Sequence, residues 1–140
     1  MLYLDRVSGS ASVPVVSRVG SRLPMHATGV GKILLAYAPT DVQAAVLSRL
    51  ERITPYTITQ PGRLQTQLAQ ARADGYAQTH EEMSLGACSV AVPIRTANAE
   101  VVAALGIVVA TLKRDRLRLV AALQVAASGI GRTLSAKTFH

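Results

Sequence analysis

The sequence predicts a single α+β domain with a largely antiparallel sheet. The chain has 140 residues, which suits one domain. Hydrophobic residues make up 49% of it and charged residues 16%, a composition that forms a compact core. The predicted elements follow the order strand–strand, three helices, three strands, helix. Such separate runs of strands and helices are typical of α+β domains.

The first half of the chain predicts a hairpin and three helices. Residues 2–7 alternate between two faces, Gly9-Ser10 marks a turn, and the β-branched run 13–19 predicts a second strand. Helices are predicted at 30–38, after Pro39-Thr40-Asp41, and between Pro61-Gly62 and Asp74-Gly75. Their apolar faces are Ile33, Leu34 and Tyr37, then Val42, Val46, Leu47 and Leu50, then Leu64, Leu68 and Ala71.

Three strands and a last helix complete the chain. The strands are predicted at 76–81, 89–95 and 101–111, with a turn at 96–99. The last helix is predicted from 117 to about 135 because its apolar residues repeat at helical spacing. Those residues are Leu119, Val120, Leu123, Ala127, Ile130 and Leu134.

The net charge is positive and unevenly placed. Fifteen Lys and Arg residues against eight Asp and Glu give +7 and a pI near 10.3. Six of the cations and one of the acids fall within 113–140, so that segment carries +5. The basic cluster 113–118 lies at a strand-to-helix junction. A patch of this kind alone gives only nonspecific, salt-sensitive affinity for nucleic acid.

Composition excludes several other classes of protein. The single cysteine, Cys88, cannot form an internal disulfide framework. The apolar run 101–112 is too short to cross a membrane, and charged residues interrupt any N-terminal hydrophobic region. We therefore expect a cytoplasmic domain with no membrane partner.

The segment 26–32 predicts a glycine-rich entry into the first helix. Thr28 is a good N-cap, and the glycines let the backbone approach a ligand closely. The unpaired amides of a helix start suit a carboxylate or a phosphate. The phosphate-binding P-loop pattern fails, because His26 stands where it requires glycine and Ile33 where it requires Ser or Thr.

An ordered series of short motifs surrounds this loop. Residues 18–28, Gly31-Lys32 and 34–36 resemble the effector-binding domain of IclR-family transcriptional regulators. The resemblance extends through 3–7, 56–59, 75–77, Glu81-Glu82, Leu85-Gly86, Cys88, 92–94 and 102–105. It covers nearly all of residues 2–135.

The resemblance implies a GAF-like domain, a largely antiparallel sheet with helices packed on it, over residues 1–140. It also implies that the family's DNA-binding winged helix-turn-helix domain is absent from this chain, which would be an excised domain or the C-terminal part of a regulator. Such regulators form dimers or tetramers, and DNA would be bound only through the missing N-terminal domain. The expected ligand is a small organic acid, without a cofactor, a metal or catalysis.

The effector pocket implied by the resemblance lies between the start of the first helix and the later strands. Backbone amides of Gly29 and Val30 would bind the effector carboxylate. A bulky residue at Gly29 is expected to abolish binding and leave the fold intact. The predicted effector-binding residues are Leu23, Met25, Thr28, Gly29, Val30, Gln78, Cys88, Val90, Gly106 and Val108.

The chain departs from the relatives that bind small keto acids. Those relatives tend to have Asp at the position of Gln78 and serines at the positions of Gly106 and Val108. The departures remove hydrogen-bonding groups, and Gly106 is expected to add room. We therefore expect a bulkier or more apolar effector, such as an aromatic or branched-chain carboxylate.

Two alternatives use residues outside the helix entry. A small cysteine-dependent enzyme would use Cys88 with His80, assisted by Glu81 or Glu82, which requires a base within hydrogen-bond reach of the thiol. The same residues with His26 are ligand types that suit zinc, but no recognised spacing joins them. The ordinary interpretation of Glu81-Glu82 is a solvated strand end.

Overall fold

A computed structural model describes residues 13–17 and 24–138, with side chains for 24–136. The predicted strand at 2–7 and the predicted pocket residue Leu23 lie outside the described residues. The bounds are β1 Val13–Ser17, α1 Gly29–Ala36, α2 Thr40–Leu47, α3 Pro61–Asp74, β2 Ala77–His80, β3 Cys88–Arg95, β4 Val101–Val109 and α4 Arg116–Thr138. The predicted α+β class is confirmed.

The described strands form one antiparallel sheet in the order β1-β4-β3-β2. Thr79 of β2 lies opposite Ser89 of β3, and Ser89 lies opposite Val108 of β4. The turn between β3 and β4 occurs where it was predicted: the Ala99 amide donates to the Thr96 carbonyl over 2.9 Å. This pairing puts Thr79, Ser89 and Val108 in one row across the sheet.

The sheet separates two apolar clusters, because successive side chains of a strand point to opposite faces. Ala91 and Ala104 belong to the cluster with α1 and α3. Val90 and Leu105, their neighbours along β3 and β4, belong to the cluster with α4. The start of α1 is thereby held against one face of the sheet.

Local signals explain the ends of α1 and α3. Thr28 caps α1 in an extended conformation, and its hydroxyl accepts a hydrogen bond from the Gly31 amide. All eight residues of α1 are buried, and the helix ends at Ala36 rather than at the predicted residue 38. Pro61 begins α3, and Gly75, with φ +81°, ends it as predicted.

Helix α4 is a core helix on its inner side. Val120, Leu123 and Ala127 are buried, and Leu119, Ile130 and Leu134 pack against them half-buried, which confirms the predicted face. Its segment Arg116–Ala136 is long and apolar enough to cross a membrane by length and composition. Packing on the sheet buries 28% of that segment.

Candidate functional site

A cavity of about 190 Å³ lies between the start of α1, the ends of β2–β4 and the loop 81–87. Its walls are mostly apolar, with a few hydroxyl groups. None of the described residues that line it is Lys, Arg, His, Asp or Glu. They are Ala27, Thr28, Gly29, Val30, Thr79, Met83, Ser84, Ala87, Cys88, Ser89, Val90, Gly106, Ile107 and Val108.

Two hydroxyl groups, of Ser89 and Thr79, and the amides of Gly29 and Val30 form the polar end of this cavity. The Gly29 amide donates to Ser89 Oγ over 3.1 Å. Ser89 Oγ and Thr79 Oγ1 lie 2.6 Å apart. Each hydroxyl has one proton, and the bond between them uses only one. Whichever of the two donates, the other retains a proton for an acceptor in the cavity.

The amides at the start of α1 are partly occupied already. Gly31 donates to Thr28 Oγ1 over 3.0 Å, and that hydroxyl donates to the Pro24 carbonyl over 2.9 Å. Of the first three helical amides, only that of Val30 has no acceptor among the described residues. An incoming carboxylate therefore meets the Val30 amide and one hydroxyl proton, rather than the free amides of both Gly29 and Val30 that the resemblance implies.

Two glycines bring α1 close to the sheet. A Cβ at Gly106 would lie 2.8 Å from Val30 Cγ1 and 3.2 Å from the Val90 carbonyl oxygen. Gly106 therefore accommodates the helix, and the expectation that it adds room is wrong. A Cβ at Gly29 would lie 2.9 Å from Ser89 Oγ and 3.3 Å from Ala91 Cβ. A bulky residue at Gly29 would push α1 off the sheet, so the expectation of an intact fold is also wrong.

The structure brings most of the predicted pocket residues to this cavity. The residues that line it are Thr28, Gly29, Val30, Cys88, Val90, Gly106 and Val108. The side chains of Cys88 and Val90 belong to the cluster on the α4 side, so it is their neighbour Ser89 that faces α1. Their role in binding stays a prediction.

Met25 and Gln78 lie away from the cavity. Met25 is half-buried and packs against the cluster around α1. Gln78 lies between the buried residues Ala77 and Thr79 and therefore points elsewhere; it lines a separate cavity beside Lys32. These positions correct the prediction that both residues line the pocket.

The sequence interpretation missed Thr79, Ser84, Ser89 and the loop residues Met83 and Ala87. Strand alternation alone gives two possible faces for β3, one with Cys88 and Val90 and one with Ser89 and Ala91. The face with Ser89 and Ala91 could have been recognised by its small side chains, one of which bears a hydroxyl group. Small side chains leave space for a helix that packs closely on the sheet. That signal depends on knowing which face α1 covers.

The alternative catalytic pair, Cys88 and His80, is close in space, but neither neighbouring glutamate assists it. Cys88 Sγ lies 3.7 Å from His80 Nδ1 and 3.9 Å from the Ala110 carbonyl oxygen. Glu81 accepts a hydrogen bond from the Gly86 amide, and Glu82 pairs with Lys32. Neither carboxylate therefore orients the His80 ring as the enzyme hypothesis requires. Among the described residues, no three His, Cys, Asp or Glu side chains are grouped to hold a metal ion.

Glu82 is buried, which corrects the interpretation of Glu81-Glu82 as a solvated strand end. Lys32 Nζ lies 2.7 Å from Glu82 Oε1 and donates to Gln67 Oε1 over 2.6 Å. Both charged side chains are less than a tenth exposed. Burial lowers the pKa of Lys32, and the adjacent Glu82 carboxylate partly opposes that shift.

This ion pair fixes one end of the loop 81–87 to α1. Thr54 and Thr57 also hold this end of the loop. Their hydroxyls donate to the carbonyls of Glu81 and Glu82 over 2.6 and 2.7 Å, respectively. The loop carries Met83, Ser84 and Ala87 to the cavity. The rim of the cavity is therefore tied to the helix whose amides form its polar end.

A family model described as the C-terminal domain of bacterial IclR transcriptional regulators matches residues 1–132. The chain belongs to this family. The predicted GAF-like effector-domain fold is thereby confirmed, as is the resemblance on which it was based.

Relatives of this IclR-family chain are named as transcriptional regulators. It is 35% identical to XynR of Escherichia coli over 84% of this chain and 48% of XynR. The solved C-terminal domain of E. coli KdgR matches with a TM-score of 0.77 and 28% identity, over 89% of this chain and 88% of that one. An IclR homologue from Microbacterium hydrocarbonoxydans, solved with 4-hydroxybenzoate, matches with a TM-score of 0.73 and 34% identity, over 90% and 57%.

The chain spans about half the length, or less, of the curated relatives it matches. The matching part of the family is the C-terminal domain, whose fold this chain has.

Proposed function

We propose that this chain is the ligand-sensing domain of a bacterial transcriptional regulator. Its cavity at the start of α1 binds a small organic acid with an aromatic or branched body. The observation that carries the proposal is the pairing of a largely apolar cavity with a polar end made of the Val30 amide, Ser89 and Thr79. An apolar cavity with a few convergent polar groups is the usual form of a small-molecule site.

The polar end suits a carboxylate. The Val30 amide and one hydroxyl proton of the Ser89–Thr79 pair supply two donors, and the N-terminal end of a helix favours negative charge. No lysine or arginine is among the described lining residues, and Lys32 of α1 is engaged by Glu82 and Gln67. We infer that dipoles and hydroxyls, rather than a cation, hold the acid group.

The walls suit an apolar body. Val30 and Val108 line the cavity from the α1 side of the sheet, and Met83 lies at its rim. The homologue solved with 4-hydroxybenzoate supports an aromatic acid as the ligand class for a fold of this kind. A two- or three-carbon keto acid would leave much of this apolar surface without a partner.

The effector would act by differential affinity. It contacts α1 and the loop 81–87 together, and it stabilises the arrangement of those elements that it binds better. In the full-length regulator this shift would alter how a preceding DNA-binding domain is held, in a cytoplasmic dimer or tetramer. The chain itself would contribute binding and no catalysis.

Isothermal calorimetry of the 140-residue chain against a panel of acids tests this proposal. We expect 4-hydroxybenzoate or a branched-chain carboxylate to bind more tightly than glyoxylate or pyruvate. The methyl ester of the best acid should bind roughly tenfold more weakly, because it loses charge-assisted hydrogen bonds. Tight binding of glyoxylate or pyruvate without binding of the larger acids would refute the ligand class. Equal binding of acid and ester would refute the proposed polar end.

A further inference from the structure

A second cavity, of about 290 Å³, lies on the α4 side of the sheet, where the chain leaves β4 and enters α4. It is lined by His80 at the end of β2, by Leu112, Lys113 and Arg114 from the connection, and by Arg116 and Leu117 from the first turn of α4. It shares no described lining residue with the cavity at α1. The proposed effector site therefore does not account for it.

The described residues that line this second cavity carry positive charge that no acidic residue among them neutralises. Three of its six described lining residues are cations, and none is Asp or Glu. The acid nearest in sequence, Asp115, instead pairs with Arg118 over 3.1 Å in an exposed contact. Cations at a helix N-terminus are electrostatically unfavourable. The first turn of α4 nevertheless contains cations and carries no acidic side chain to offset them.

Arg116 is the least exposed cation of this cavity, since Lys113 and Arg114 are both exposed. Its side chain is half-buried, and its Nε atom is buried without a hydrogen-bond partner among the described residues. Buried guanidinium nitrogens are nearly always paired, so an unpaired one is unusual. Together with Lys113 and Arg114, Arg116 lines the cavity, so an anion bound there would meet three cations.

The shape of the cavity restricts the anion. Leu112 and Leu117 line it beside the cations, and its volume of about 290 Å³ makes the site a recess rather than a flat charged surface. A tetrahedral oxyanion can accept hydrogen bonds from guanidinium, ammonium, imidazole and helix-start amides at once. A flat basic surface would instead suit the backbone of a nucleic acid.

We propose that this second cavity binds a phosphate group, as inorganic phosphate or as the phosphomonoester of a small metabolite. Arg116 and Arg114 hold the phosphate oxygens, and Lys113 and His80 close the recess. The regulator would thereby have a second small-molecule site, separate from the proposed carboxylate site at α1. Three cations of the basic cluster 113–118, namely Lys113, Arg114 and Arg116, would serve this site.

Calorimetric titration of the chain with inorganic phosphate and with glycerol phosphate, in sodium chloride buffers of matched ionic strength, tests the proposal. We expect phosphate to bind wild type and Arg116→Gln to weaken binding roughly tenfold, the effect of losing a charge-assisted hydrogen bond. Arg114→Gln, at an exposed position, should weaken binding in the same direction even where Arg116→Gln disturbs the fold. Preference for glycerol phosphate over inorganic phosphate would identify the phosphomonoester as the ligand.

Arg118→Gln is the matched control, because Arg118 has the same charge and lies outside the cavity, paired with Asp115. It should leave phosphate binding unchanged. The absence of phosphate binding in wild type, or an equal loss in Arg118→Gln and Arg114→Gln, would overturn the proposal. Binding of a short DNA duplex that both variants weaken equally, without phosphate binding, would assign the cluster to nucleic acid instead.

Discussion

Replacing Glu82 with leucine is expected to lower the free energy of unfolding by about 3–5 kcal/mol. The variant leaves the Lys32 ammonium, whose side chain is 2% exposed, without its carboxylate partner. Removing one member of a buried ion pair is costly because the remaining charge stays out of water. Urea denaturation of wild type and variant measures the effect.

The double variant Lys32→Met/Glu82→Leu separates the buried charge from the packing. It removes both charges and retains similar volume, so its stability should return to within about 1–2 kcal/mol of wild type. The exposed pair of Arg118 and Asp115 gives a matched control: Asp115→Asn should change stability by at most about 1 kcal/mol. An Asp115→Asn effect as large as that of Glu82→Leu would contradict this account of the pair.

Replacing Gly31 with alanine is expected to destabilise the domain by about 1–3 kcal/mol. A Cβ at this position would lie 2.5 Å from Met25 Cα and 2.5 Å from Thr28 Oγ1. Met25 Cα belongs to the backbone, so the loop before α1 must move and the Thr28 cap must shift. Chemical denaturation measures the loss.

Gly62→Ala is the control for the change of glycine to alanine within a helix. A Cβ at Gly62, near the start of α3, meets no atom within 4 Å. This variant should be neutral or more stable by up to about 1 kcal/mol, because alanine favours the helix. If Gly31→Ala were as stable as Gly62→Ala, that result would contradict the close approach of Met25 and Thr28 to Gly31.

Local chemistry made much of the fold predictable. Pro61 and Gly75 mark the two ends of α3, and Thr28 marks the start of α1, because each satisfies or replaces backbone groups at a helix end. The turn at 96–99 was predictable because Asn98 and the small residues around it favour a turn between two strands. The end of α1 was predicted two residues too late: Pro39 marks where a helix must have stopped, but no local signal shows that Tyr37 and Ala38 leave it first.

The candidate site was less predictable, since it depends on which face of the sheet α1 covers. The motif at 26–32 located the helix start, but periodicity alone could not choose between Cys88 and Ser89. Gln78 was placed in the pocket by resemblance, and strand alternation puts it elsewhere. The pairing of Lys32 with Glu82 joins residues fifty positions apart, so no local pattern could indicate it.

Calorimetric titration of Ala87→Phe with the acid that binds wild type best tests the central claim most directly. Ala87 lines the cavity at α1 from a loop, so a phenyl ring there should occupy the space of the ligand without disturbing the core. Leu85→Phe is the control, since Leu85 belongs to the same loop, is 63% exposed and does not line the cavity. We predict at least about tenfold weaker binding for Ala87→Phe, a loss of about 1.4 kcal/mol or more, and wild-type affinity for Leu85→Phe. Wild-type affinity in a folded Ala87→Phe variant would place the effector site elsewhere.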